Sequence, residues 1–182
     1  MPQSKNKTVL FDIEKALKPY IIADALPVVV KWIEAHPVHL AFSERHGHAL
    51  GYYMHPRAHP KKHADTRPYI SLQIHLNPYL LFFVFVHEWA HLLVHERFPQ
   101  AKPHAKEWKA IFTNLMQPFL KPEIFPPDLL SAIVHYFRKP TAAIYPNLLN
   151  TFHRYGKTRS DYITVYIAHQ KQGIILPSPR TK

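Results

Sequence analysis

The feature that most constrains this chain is an apolar run that ends abruptly in a polar motif. Residues 80–86 read LLFFVFV, and His87, Glu88 and, one helical turn later, His91 follow directly. The run is far too short for a membrane span, which needs about 20 apolar residues. It fits a buried helix, and one long helix is predicted over 79–97. Such a helix carries polar side chains into the interior, where each of them needs a partner.

The rest of the pattern predicts an α+β fold in which strands and helices are segregated along the chain. Further helices are expected at about 9–17, 24–36, 104–117 and 127–138, and strands at about 38–43, 49–54 and 70–76, with a final strand at 161–168. The first two strand segments flank a turn at Gly47, which favours a hairpin. The expected architecture is therefore a small three-stranded, antiparallel-type sheet packed on helices.

A length of 182 residues predicts one domain. Within it we distinguish the N-terminal helices (1–37), a central core (38–120) and a basic, aromatic C-terminal extension (121–182) packed on the same domain. Because no export signal or membrane span is apparent, the expectation is a cytoplasmic protein.

A metal site in this chain must be built from His, Asp or Glu, because the sequence contains no cysteine. His87, Glu88 and His91 spell H-E-x-x-H. Residues four apart on a helix share a face, so both imidazoles can reach one ion, while Glu88 can approach a water bound to it. The competing interpretation is a pair of ordinary buried histidines, since a chain with 15 histidines can carry the motif by chance.

Three residues are candidates for a third ligand. His95 lies two helical turns from His87, about 12 Å along the axis, which is too far for one ion. His104 opens the next predicted helix after a short connection that can fold it back across the first. Glu107, one turn further on, is the alternative, since two histidines and a glutamate also bind zinc well.

The segment 86–112, VHEWAHLLVHERFPQAKPHAKEWKAIF, resembles the SprT-like zinc metallopeptidases, a family that includes the DNA-protein crosslink protease Spartan. The family pattern is an HExxH helix followed, after a short loop, by P-H-x-x-x-W. The resemblance covers about residues 38–117. It implies a zincin-like fold, one Zn²⁺ per chain on His87, His91 and His104, and Glu88 as the catalytic residue. Many relatives continue into a Cys-rich zinc ribbon, for which this sequence has no cysteines.

The activity that the resemblance implies is peptide-bond hydrolysis. Zinc would activate a water and polarise the scissile carbonyl. Glu88 would take the proton of that water and deliver it to the leaving amine. Tyr52, Tyr53 and Tyr145 are candidate oxyanion donors, with half-buried packing as the competing interpretation. The strand at 70–76, if it forms a sheet edge, would bind a substrate peptide as an added strand.

The charge of the chain favours polyanionic partners. Lys and Arg number 23 against 12 Asp and Glu, a formal net charge of +11. Five basic residues are interleaved with aromatic ones, a mixture suited to single-stranded nucleic acid: Arg138, Lys139, Arg154, Lys157 and Arg159, among Tyr136, Phe137, Phe152 and Tyr155. A solvated basic face over an aromatic core explains the pattern equally well. A second metal site on His55, His59 and His63 is not expected, because prolines exclude a helix there.

Two functions are therefore carried forward. The first is a zinc endopeptidase acting on protein or peptide substrates, among them DNA-bound or DNA-crosslinked proteins, which would bring it to DNA, single-stranded DNA included, and to the nucleoid. The alternative is a non-proteolytic nucleic-acid or transcription-elongation-associated factor with a structural zinc. A helical scaffold without metal is the third and simplest interpretation.

Overall fold

The computed structural model describes residues 13–43, 49–55 and 67–156, and beyond them two strands. The helices in this part of the chain are α1 (Ile13–Leu17), α2 (Leu26–Ala35), α3 (Pro78–Arg97), α4 (Lys106–Met116), α5 (Pro127–Phe137) and α6 (Pro146–His153), and a 3-10 turn (Gln117–Phe119) follows α4. The strands are β1 (His39–Ser43), β2 (Gly51–Met54), β3 (Tyr69–Gln73), β4 (Val165–Gln170) and β5 (Gly173–Ile175). The α+β class predicted from the sequence is confirmed.

The sheet differs from the expected antiparallel one. Its strand order is β2-β3-β1-β4-β5, and β1 pairs with β3 in parallel while the other pairs are antiparallel. The prediction of a hairpin between β1 and β2 was wrong, because β3 lies between these two strands in the sheet. Their connection, 44–50, is longer than the loops of about two to five residues that join tight hairpins. Four of the five residues of β1 are buried, which suits a strand with neighbours on both sides.

The edge of the sheet also lies elsewhere than expected. β3 has β1 on one side and β2 on the other, so the strand at 70–76 is not an edge strand. That position belongs to β2, which ends the strand order and is only partly buried. In the register of this pair Gly51 lies opposite Leu72, and Tyr53 lies opposite Ile70.

Helix α3 is the centre of the core, as its apolar sequence predicts. Thirteen of its 20 residues are buried, and they include Glu88. Its start is fixed by Asn77, whose side-chain oxygen accepts a hydrogen bond from the Leu80 N–H at 3.0 Å. The Asn77 amide donates to the Phe152 carbonyl at 2.9 Å and so ties α3 to α6. These capping contacts satisfy polar groups that burial would otherwise leave without partners.

Aromatic rings join the other helices to α3. The ring of Trp32 on α2 stacks on Trp89 at a centroid distance of 6.1 Å. Phe83 contacts Phe112 of α4 at 5.3 Å and Phe152 of α6 at 5.4 Å. One continuous set of buried residues thus runs from α1 to α6. The boundaries drawn at 37 and 120 remain a prediction.

Some sequence predictions needed adjustment at helix ends. Helix α2 begins at Leu26, two residues later than expected, and no side chain caps it. Helix α6 was not predicted, because it has only eight residues and two buried apolar ones, Leu148 and Phe152, which are too few to show a helical period. Among the residues that the structure describes, no helix is long and apolar enough to cross a membrane.

The close approach of β2 to α3 predicts the effect of a side chain at Gly51. A Cβ atom there would lie 2.7 Å from Cγ1 of Val84 and 3.2 Å from the Ser71 carbonyl oxygen. Gly51→Ala is therefore expected to lower the free energy of unfolding by about 1–3 kcal/mol, measured by urea denaturation. Val84→Ala opens that space, so the double variant should lose less than the sum of the single losses. Strictly additive losses would contradict the contact.

Candidate metal centre

Helix α3 presents three polar side chains within its largely apolar sequence. His87 and His91 are partly buried, and Glu88 is only 6% exposed. The one-turn spacing brings the two imidazole rings to a centroid distance of 5.1 Å. The prediction that the H-E-x-x-H residues lie on one helix is therefore confirmed.

His104 joins this pair from the loop before α4. Its Nε2 atom lies 2.9 Å from Nε2 of His91 and 3.2 Å from Nε2 of His87. The backbone of His104 has φ 59°, in the left-handed region that costs a non-glycine residue about 1 kcal/mol or more. This turn is what aims the ring at α3 before α4 begins.

The three histidines fit one metal ion. Their candidate ligand atoms all lie within 4.8 Å of one another. Three nitrogens bound tetrahedrally to one zinc at about 2.0–2.1 Å would lie roughly 3.3 Å apart, close to the two Nε2 separations given above. Three protein ligands leave a fourth position open, as in catalytic zinc sites. This arrangement could hold one metal ion on His87, His91 and His104.

Burial keeps these imidazoles in the neutral form that binds metals. Burial, together with the nearby His91 and His104, lowers the pKa of His87 to about 3. Burial likewise lowers the pKa of His91 to about 4, followed by the effect of His104. The pKa of His104 is lowered for the same reason. Near pH 7 all three rings therefore offer a lone pair.

Trp108 on α4 supports all three rings from behind. It is fully buried, and its ring centroid lies 4.6 Å from that of His87, 4.7 Å from His104 and 5.6 Å from His91. The indole N–H donates to the His87 carbonyl oxygen over 3.4 Å. Trp108 is thus in a position to orient the ligands, the role that residues behind metal ligands commonly have. The sequence signal for it is the tryptophan of P-H-x-x-x-W.

Glu88 lies between the histidines and the edge strand. Burial raises its pKa to about 8, and a hydrogen bond from the Tyr53 backbone N–H opposes that rise. A carboxylate whose conjugate acid has a raised pKa is a stronger base than an exposed one. A divalent cation nearby would favour its charged form.

The cluster opens into a cleft of about 640 Å³. One side is the β2 segment, and the floor is α3. The other side is formed by residues 142–144 and Leu149, which the sequence analysis did not identify. The described residues that line the cleft are Ala49, Leu50, Gly51, Tyr52, Tyr53, Phe83, Val84, His87, Glu88, His91, Pro103, His104, Ala142, Ala143, Ile144 and Leu149. The volume lies within the range of about 300–1,000 Å³ that ligand pockets occupy.

The other candidate polar residues of the segment 86–112 lie outside the three-histidine cluster. The His95 ring stacks on His55 at a centroid distance of 3.7 Å, away from the three ligand nitrogens. Glu96 is exposed and pairs with His36 at 3.0 Å. Glu107, the alternative ligand, contacts Lys106 at 4.0 Å and is not part of the cluster.

Of the three candidate oxyanion donors, two line the cleft and one does not. Tyr52 and Tyr53 line the cleft, and the ring of Tyr53 stacks on His91 at 6.3 Å. Burial raises the pKa of the Tyr53 hydroxyl, so it stays protonated and able to donate. The hydroxyl of Tyr145 donates to the Lys139 carbonyl oxygen at 2.6 Å, outside the described lining.

The basic and aromatic residues of the extension do not form one surface. Tyr136 and Phe152 are buried in the core and cannot stack on bases. Arg154 is paired with Asp128 at 2.7 Å, whereas Arg138 and Lys139 are exposed at the end of α5. Lys157 and Arg159 lie outside the described residues, as do His59 and His63.

Comparison with known proteins supports a short local similarity. Over 34 residues the chain is 53% identical to the protein SprT of Actinobacillus succinogenes, which is 19% of this chain and 20% of that protein. The chain thus spans about a fifth of the length of the curated relative it matches. No protein-family profile matches the chain, and no solved structure matches it.

The raised pKa of Glu88 predicts a pH-dependent stability of the metal-free protein. The folded state holds this proton up to about pH 8, whereas an unperturbed carboxyl releases it near 4.5. Raising the pH through that window therefore removes stability from the wild type, on the order of 1 kcal/mol per pH unit. Glu88→Gln lacks the charge, so its stability relative to wild type should rise between these pH values.

Urea unfolding of both proteins in a chelator at several pH values measures this difference. The neighbouring histidines titrate in both proteins and largely cancel. A difference that stays constant across the window would contradict the buried, raised-pKa carboxyl.

The convergence of three imidazole rings predicts that metal binding requires His104 and does not require His95. His104→Gly removes a ligand and relieves the left-handed backbone, so the fold should survive while zinc affinity falls by about a hundredfold or more. His95→Ala is the matched control and should retain zinc. Titration with a competing chelator and atomic absorption measure both. Loss of zinc from His95→Ala, with zinc retained by His104→Gly, would overturn the assignment.

Proposed function

We propose that the chain is a zinc-dependent endopeptidase of SprT-like type, with His87, His91 and His104 as zinc ligands and Glu88 as the catalytic residue. The observation that carries the proposal is the position of Glu88. It is a buried carboxyl one residue from a candidate ligand, at the floor of an open cleft. The short similarity to SprT and the three-histidine cluster support the same family and cofactor.

The proposed chemistry divides between the metal and the chain. Zinc, when bound, supplies a Lewis acid that makes a water nucleophilic near neutral pH. Glu88 accepts the proton of the attacking water and passes it to the leaving amine. The N–H of Tyr53 holds the carboxylate in place through its hydrogen bond. Trp108 limits the movement of the three imidazoles.

The substrate is proposed to bind along β2. An edge strand presents backbone N–H and C=O groups with which an extended peptide can pair. β2 ends the strand order and lines the cleft beside Glu88. Pairing through the backbone favours flexible or unfolded polypeptide segments over folded ones.

DNA-bound or DNA-crosslinked proteins are the proposed natural substrates. The net charge of +11 and the exposed Arg138 and Lys139 support attraction to the phosphate backbone. The alternative, a non-proteolytic factor with structural zinc, is less well supported. Structural sites are closed by four protein ligands, whereas three histidines form this cluster in the described chain and it borders a cleft.

Glu88→Gln tests the proposal directly. Both wild type and variant should bind about one zinc, but the variant should lose roughly 10²–10⁴-fold in peptidase rate, because it has no base. The assay is cleavage of casein and of a histone, with and without single-stranded DNA, alongside metal analysis. Glu96→Gln, an exposed change on the same helix, is the control and should retain activity. Zinc-loaded wild type that is as inert as Glu88→Gln under every condition would refute the peptidase.

A further inference from the structure

The side of the cleft opposite β2 is formed by the segment that joins α5 to α6. Residues 142–144 and Leu149 line it, and Ala142 and Ala143 are exposed. This side belongs to the C-terminal extension and lies beyond the residues that carry the family resemblance. We call residues 142–144 the cleft wall.

Hydrogen bonds to two tyrosines hold this wall in one conformation. The hydroxyl of Tyr136 donates to the Thr141 carbonyl oxygen and accepts from the Thr141 N–H at 3.2 Å. The Thr141 hydroxyl donates to the Ala143 carbonyl oxygen at 2.7 Å. Tyr145 closes the loop through its bond to Lys139. Because Tyr136 is only 1% exposed and packs on Phe83, the wall is fixed directly to the core behind the cleft.

Away from the metal centre the cleft is lined by uncharged side chains. Among the described residues that line it, Glu88 is the sole acidic one, the three histidines are the basic ones, and there is no lysine or arginine. Around the wall the surfaces are aliphatic or aromatic: Leu50 across the cleft, and Phe83 and Val84 on the floor. A charged substrate side chain would lose hydration there without gaining a partner, whereas an apolar one gains from burial. The lysines and arginines of the described chain therefore lie outside the cleft lining.

We infer that the cleft wall is a specificity element, which selects an uncharged aliphatic or aromatic side chain next to the scissile bond of an extended polypeptide. The inference rests on the proposed function, because the occupant is the peptide that pairs with β2. In an extended chain alternate side chains point to opposite sides. One side chain near the metal centre thus enters the space between the wall and α3.

Peptide binding tests this inference without requiring cleavage. The protein is zinc-loaded Glu88→Gln, and the probes are three dye-labelled, unstructured peptides that differ only in a central Leu, Asp or Lys. The Leu peptide should bind about tenfold more tightly than the other two, measured by fluorescence anisotropy. Adding Ala143→Glu places a negative charge on the wall and should reduce the preference for Leu over Lys to within about twofold, because the new carboxylate attracts the ammonium group, while the Asp peptide stays weakly bound.

Asn147→Glu is the matched control. It adds the same charge at an exposed position of α6 outside the described lining, and it should retain the tenfold preference. Ala142→Glu repeats the test from the adjacent wall position and guards against a local folding defect in the first variant, while circular dichroism checks both. Equal binding of the three peptides to the protein without wall substitutions, or an unchanged preference for Leu over Lys in both wall variants, would overturn the inference.

Cleavage of the same peptides by the protein with Glu88 intact separates this inference from the proposed function. A preference for the Leu peptide without any hydrolysis supports the specificity wall and refutes the peptidase. Hydrolysis of all three peptides at equal rates, with equal binding, supports the peptidase and refutes the wall.

Discussion

The burial of two imidazoles and a carboxyl on one side of α3 is the constraint on which the rest of the structure depends. This helix fills the centre of the core, so its polar stripe has little access to water except from the cleft. Polar groups at such depth cost several kcal/mol unless they find partners. The loop before α4 supplies His104, α4 supplies Trp108, and β2 supplies a backbone N–H to Glu88. Three elements distant in sequence are thus arranged around one local motif.

The sequence predicted this stripe well because the signal is local. A helix of 20 residues has a fixed period, and spacing alone removes His95 from the cluster. Spacing alone could not choose between His104 and Glu107, because the choice depends on one left-handed residue in a loop. Strand order was beyond reach for a related reason: pairing is non-local, and β3 separates two strands that are consecutive in the chain. Helix α6 and the cleft wall were missed because both segments are too short to show a helical or strand period.

The mixture of basic and aromatic residues near the C-terminus has two separate origins. Tyr136 and Phe152 serve the core, and Arg154 serves a surface pair with Asp128. In the sequence, the core aromatic residues and the surface basic residues together resembled one pattern typical of nucleic-acid binding. The described lining of the cleft contains no lysine or arginine, so in the proposed function attraction to polyanions and recognition of a peptide would occur on different surfaces. Such a separation lets long-range charge bring the protein to a site without dictating which side chain is accepted there.

The double role of Asn77 reaches further than helix capping. One side chain fixes the first turn of α3 and also the carbonyl of Phe152, 75 residues later. The helix that carries the histidine pair therefore has its starting point anchored by a segment outside the resemblance to the SprT-like family. The segment that contains the H-E-x-x-H motif is consequently not expected to keep its structure if it is moved alone into another protein. The unit that carries the motif is shorter than the unit that must fold for the motif to hold its shape.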